Sequence, residues 1–114
     1  MTIRRMKTYA GGQGYVYQYY FVGQRQTEAG TQFIFDVTSD RKTTYAVSVL
    51  LPDDVTQAWA SKHNRRLTDA ERYGAVKMRL FQAFDDIENM LADGRKLTVD
   101  SDSLEQLLGI LGVA

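Results

Sequence analysis

A period of two constrains this chain more than any other feature. Between residues 15 and 51 polarity alternates in three successive segments. In the first, residues 15–23, Tyr15, Tyr17, Tyr19 and Phe21 share one parity, and Val16, Gln18, Tyr20 and Val22 the other. In the second, 31–39, Phe33, Phe35 and Val37 oppose Gln32, Ile34, Asp36 and Thr38. In the third, 43–51, Tyr45, Val47, Val49 and Leu51 oppose Thr44, Ala46, Ser48 and Leu50. Alternation carried by aromatic and β-branched residues marks half-buried strands. The connectors QRQTEAG and DRK are short and polar, so adjacent antiparallel pairing is expected. Phe33, Phe35, Val37, Tyr45, Val47, Val49 and Leu51 define the expected buried face. Tyr15, Tyr17, Tyr19 and Phe21 are expected to join it, leaving Gln18 and Tyr20 outside. In the opposite register three tyrosines would stand on an uncharged face, a setting that suits a protein partner better than nucleic-acid bases.

Helical periodicity follows. Pro52 fits the first turn of a helix and Asp53 and Asp54 suit its positive end, predicting a helix over 52–63 packed through Trp59. Thr68 and Glu71 have capping-box spacing. From there Tyr73, Val76, Leu80, Phe84, Ile87 and Leu91 recur at steps of three and four, predicting a helix over 68–93 stopped by Gly94. Residues 96–99 offer a short additional strand. A last helix over 102–112, capped by Ser101 or Asp102, carries Leu104, Leu107, Leu108 and Leu111, although Gly109 and Gly112 weaken it. The expected fold is α+β: a three-stranded antiparallel sheet (about 15–23, 31–39, 43–51) with helices packed on one face. A chain of 114 residues fits one domain, expected over 15–114 behind a basic, flexible arm at 1–14.

Cysteine is absent, which removes disulfides, thiolate zinc sites and cysteine nucleophiles together. No apolar run of about 7 residues follows the basic start, as an export signal requires, and none reaches the ~18 residues of a membrane span. A cytoplasmic protein without membrane contact is therefore expected. The GGQG stretch at 11–14 precedes a strand, whereas a phosphate loop must precede a helix. DSDS at 100–103 begins like a calcium loop, but Leu104 and Glu105 occupy the following ligand and glycine positions, which leaves a helix cap. His63 is the sole histidine, without a neighbouring nucleophile, and is expected at an exposed helix end. Asp53–Asp54 and Asp85–Asp86 are adjacent pairs whose members point apart on a helix. No catalytic, cofactor-binding or metal-binding residues are assigned, and no enzymatic activity or cofactor is expected.

Charge is zero overall but uneven: residues 1–84 hold 12 Lys and Arg against 7 Asp and Glu, and residues 85–114 hold 2 against 7. Either the acidic end neutralises the basic remainder by folding onto it, or it masks a surface for a polyanion. Surplus apolar surface supports a small interaction or regulatory module, a homodimer or the binder of another protein, with candidate interface residues Tyr20, Met78, Phe81, Met90, Leu104, Leu107, Leu108 and Leu111. The alternative is a nucleic-acid-binding protein using Arg4, Arg5, Lys7, Arg41, Lys42, Arg65 and Arg66, with the acidic segment as a mask. The order of three strands and a helix over 15–63 resembles small sheet-based DNA-binding domains, such as those at the N-terminus of some integrases, in topology only. Their sheets read DNA with basic side chains. Here the polar parity of strands two and three has no Lys or Arg, and Asp36 would repel phosphate.

Overall fold

The computed structural model of the chain describes residues 6–113. These form an α+β domain whose elements run β1 (Lys7–Ala10), β2 (Val16–Gln26), β3 (Gly30–Thr38), β4 (Tyr45–Pro52), α1 (Asp53–His63), α2 (Asp69–Asp86), α3 (Met90–Asp93), β5 (Lys96–Thr98) and α4 (Ser101–Ile110). The three expected strands are present as β2, β3 and β4. The sheet, however, has five strands in the order β1-β2-β3-β4-β5 and is mixed, because β5 runs parallel to β4. The flexible arm expected over 1–14 is thereby corrected at residues 7–10, which pair with β2 in the register Lys7 to Tyr19 and Tyr9 to Tyr17. Residues 1–5 lie outside the described part.

The alternation read from the sequence sets which face is buried. Tyr17, Tyr19, Phe33, Phe35, Val37, Tyr45, Val47, Val49 and Leu51 are all buried under the helices. A bulge between Phe21 and Gly23 shifts the register of β2, which lets the strand continue to Gln26 beyond the expected 23. Tyr15, expected on the buried face, precedes β2 and is 47% exposed. Across the sheet, Ile34 and Leu50 are half-buried and Val16 is exposed. The β2–β3 turn is held by Thr27, whose hydroxyl donates to Gly30 O at 2.8 Å. Gly30 is required there, since a Cβ would overlap the Leu51 carbonyl oxygen and the Pro52 Cα.

The first helix begins at 53 with Pro52 as N-cap, and Asn64 ends it in the left-handed conformation at φ 55°. The capping box predicted for α2 is present: Glu71 N–H donates to Thr68 Oγ1 at 3.1 Å, and Thr68 N–H donates to Glu71 Oε1 at 2.9 Å. The predicted 68–93 helix is interrupted. It stops at Asp86, Ile87 turns extended, and Asn89 starts α3 by accepting from Ala92 N–H at 3.1 Å. Two forces break it there. Asp85 and Asp86 oppose the negative end of the helix dipole with no basic residue in the last turn, and Asn89 offers a competing N-cap. The cap of α4 is Asp100, one residue before the expected position, accepting from Ser103 N–H at 2.8 Å.

The core is a stack of rings between sheet and α2. Tyr9 lies on Phe81 at 4.3 Å and Tyr17 on Phe84 at 4.2 Å, both nearly parallel, while Tyr19 meets Phe81 edge-on at 5.5 Å. The opening tyrosine run is thus core at Tyr17 and Tyr19. The last helix packs against α1 and α2, burying Leu104, Leu107 and Leu108 in the same chain. Among the described residues no helix is long and apolar enough to cross a membrane.

Candidate functional site

The candidate interface residues separate into two groups. Met90, Leu104, Leu107 and Leu108 are buried in the core, at most 2% exposed, so they offer no surface to a partner of the folded chain. Amphipathic spacing identified the three leucines as needing cover, and α1 and α2 supply it. Met78 and Phe81 are half-buried against that core. Tyr20 sits half-buried on β2 in register with Asp36, on the sheet face away from the helices. Leu111 remains 41% exposed beside Gly74.

The candidate polyanion residues are dispersed. Arg4 and Arg5 lie outside the described residues. Lys7 is on the edge strand β1, near Lys77, whose ammonium lies 5.8 Å over the Tyr19 and Phe81 rings. Burial first, and then Lys7, push the Lys77 pKa down. Arg41, at φ 65°, and Lys42 occupy the β3–β4 hairpin tip. Arg65 and Arg66 lie in the connection after α1, beyond β4 and α1 in the chain from that tip. Arg65 is already engaged: its guanidinium grips Glu71 through two bonds of 2.9 and 2.8 Å and lies 5.0 Å over Trp59. That grip and the Thr68 N–H hold the Glu71 carboxyl down at about 2. The described candidate cations thus sit on β1, on the β3–β4 tip and in the α1–α2 connection.

His63 has the distant acid that spacing could not reveal. Its Nε2 lies 2.8 Å from Glu105 Oε1 on α4, and its ring stacks on Trp59 at 4.3 Å. The hydrogen bond from His63, with Lys62 3.5 Å away, lowers the Glu105 pKa. These contacts fasten α4 to α1. Among the described residues no group of three His, Asp or Glu is placed to hold a metal ion.

The broadest cleft that combines rings with unpaired charge lies at the other end, where α2 stops. Tyr15, Tyr17, Tyr45, Glu88, Asn89 and Asp93 line about 520 Å³. The buried Tyr17 and Tyr45 form its wall and the exposed Tyr15 its mouth, with the Tyr15 and Tyr17 rings 6.3 Å apart. Burial, with Tyr17 and Asp40 nearby, pushes the Tyr45 hydroxyl up to about 12, so it stays protonated as a donor. Asp85, one turn away, is fully used: it accepts from the Tyr9 hydroxyl at 2.8 Å and Gly12 N–H at 2.9 Å. Asp86, Glu88 and Asp93 form no ion pair among the described residues. The nearby Arg95 donates Nε–H to Ala46 O at 3.2 Å and, with Lys96, lines a neighbouring cleft that shares Asp93. Acids thus crowd the end of α2 where the dipole disfavours them, beside exposed aromatic surface. That arrangement is complementary to an organic cation. Sequence reading missed the cleft because its walls come from 15–17, 39–45 and 88–93, although acids at a helix C-terminus were a visible signal.

No protein-family model matches the chain, and no curated protein or solved structure matches it either.

Proposed function

We propose that this protein is a small interaction module without enzymatic activity, which receives a Lys or Arg side chain of a protein partner in the tyrosine–carboxylate cleft. One observation carries the reading: Glu88 and Asp93 border aromatic rings with no cation paired to them among the described residues. A cation over the Tyr15 face gains quadrupole attraction, and the two carboxylates supply charge-assisted hydrogen bonds. Aromatic residues and Arg are enriched at protein interfaces relative to the rest of the surface.

Self-association through the Leu-rich helix face loses its basis, since Leu104, Leu107 and Leu108 are core. A second copy is a partner only through its own exposed cations. The nucleic-acid reading is weaker still, with the described cations at separate places and carboxylates around the main cleft.

An amide NMR titration with an arginine-rich nonapeptide tests the proposal. Saturable shifts centred on Tyr15, Glu88 and Asp93, weakened about tenfold in the Glu88→Gln/Asp93→Asn double variant, are expected. Shifts spread evenly over all acidic residues, or unchanged in that variant, refute it. Sedimentation at low salt reads homotypic binding directly, and a 13.0 kDa species at every concentration excludes it.

A further inference from the structure

A second cleft opens at the opposite end, between α1 and the start of α2. Asp53, Thr56, Gln57 and Ala60 fall on one face of α1 at steps of three and four and line it. Across from them stand Arg66, in the connection, and Arg72, in the first turn and a half of α2, with the buried Leu67 between them. The space measures about 230 Å³.

Its chemistry is unbalanced. The Arg72 Nε–H is shut off from solvent and has no hydrogen-bond partner among the described residues. A buried donor on a charged group is rarely left so, and asks for an acceptor. No ion pair joins Arg66 or Arg72 to any described carboxylate. Asp53, the one acid in the wall, accepts from Gln26 Nε2 at 2.9 Å through its Oδ2. Thr56 donates its hydroxyl to Asp53 O at 3.1 Å. Arg65, the neighbouring guanidinium, is saturated by Glu71. Arg66, Arg72 and Gln57 thus line one small cavity, the two arginines without an ion pair among the described residues.

From this geometry we infer that the α1–α2 cleft is a binding site for a phosphate group. Two planar forks present more donors than a carboxylate accepts, and a tetrahedral dianion uses both. The volume is below the ~300–1,000 Å³ of pockets for drug-sized ligands, which favours a phosphate group with few attached atoms over a nucleotide. The site is independent of the tyrosine–carboxylate cleft and stands or falls without it.

The test follows the Arg66 and Arg72 guanidinium resonances of the full chain during titration with inorganic phosphate, glycerol phosphate, acetate and chloride at matched ionic strength. A saturable shift with either phosphate, absent with acetate and chloride, is the expected result. Arg72→Gln and the more exposed Arg66→Gln are expected to weaken phosphate binding about tenfold or more, read by the amide shifts of Gln57 and Leu67. Should Arg72→Gln fail to fold, Arg66→Gln carries the same test. The inference is overturned if chloride reproduces the shift, if acetate binds as well as phosphate, or if a folded variant binds phosphate as tightly as the parent.

Discussion

The phenol of Tyr9 donates a 2.8 Å hydrogen bond to Oδ2 of Asp85, a residue 76 positions later in the chain. The other carboxylate oxygen takes the Gly12 N–H, so one side chain at the end of α2 pins both the edge strand β1 and the turn that follows it. Gly14, at φ 91°, completes that turn in a conformation that favours glycine. Asp85→Ala is expected to destabilise the protein by about 1–2 kcal/mol, with faster amide exchange confined to residues 7–14. Uniform protection across that segment in the variant would contradict the clamp.

Glu71 makes stability depend on acid pH. Its folded pKa, held at about 2 by Arg65 and then by the Thr68 N–H, lies below its ordinary 4.5. A depressed carboxyl contributes stability that is present above about 4.5 and is lost as pH falls toward about 2. In Glu71→Gln that contribution is gone. Parent and variant are expected to differ in denaturant midpoint at neutral pH and to converge near pH 2. A difference that persists undiminished at that pH would refute the assignment.

Tyr45 acts at the other extreme. Burial raises its pKa from 10.0 to about 12, so the folded state holds its proton longer than the unfolded one. The sign is that of a raised pKa: stability is fully present below 10.0 and declines as pH rises through about 12. Tyrosinate absorbance of the folded protein is expected to show a late-titrating phenol that vanishes in Tyr45→Phe. If that variant retains the late phase, another tyrosine is responsible.

Leu107 separates core from interface. It is fully buried between the helices and the sheet, so Leu107→Ala is expected to cost about 2–5 kcal/mol and leave the sedimentation coefficient unchanged. A stable variant with altered association would return Leu107 to an interface.

Gly30 tests the close approach of the β2–β3 turn to β4. A methyl group there meets backbone atoms of Leu51 and Pro52. Gly30→Ala is expected to destabilise by about 1–3 kcal/mol through overpacking, measured by thermal unfolding. An unchanged midpoint would show that the turn relaxes freely.

The amino-acid order by itself determined the parts that rest on local periodicity. Strands β2, β3 and β4, the parity that buries Phe33, Phe35 and Val47, the capping box at Thr68 and the helical nature of 53–63 and 101–110 follow from spacing and side-chain type, because neighbours in sequence are neighbours on a strand face or helix turn. The edge strand β1 was not legible: four residues with a single core-facing ring have no pattern of their own and become a strand only by pairing with 16–19. The same holds for the break after Asp86, which depends on Asn89 out-competing the helix for a cap.

Tertiary structure alone decided what covers each apolar stripe and which charges meet. Spacing marked Leu104, Leu107 and Leu108 as needing burial but could not distinguish a partner from the chain's own α1 and α2. His63 found Glu105, Tyr9 found Asp85, and the Arg72 Nε–H was left without a partner among the described residues. Each outcome depends on contacts between residues far apart in the chain, whose energies arise only once the sheet and helices have brought them within a few ångströms.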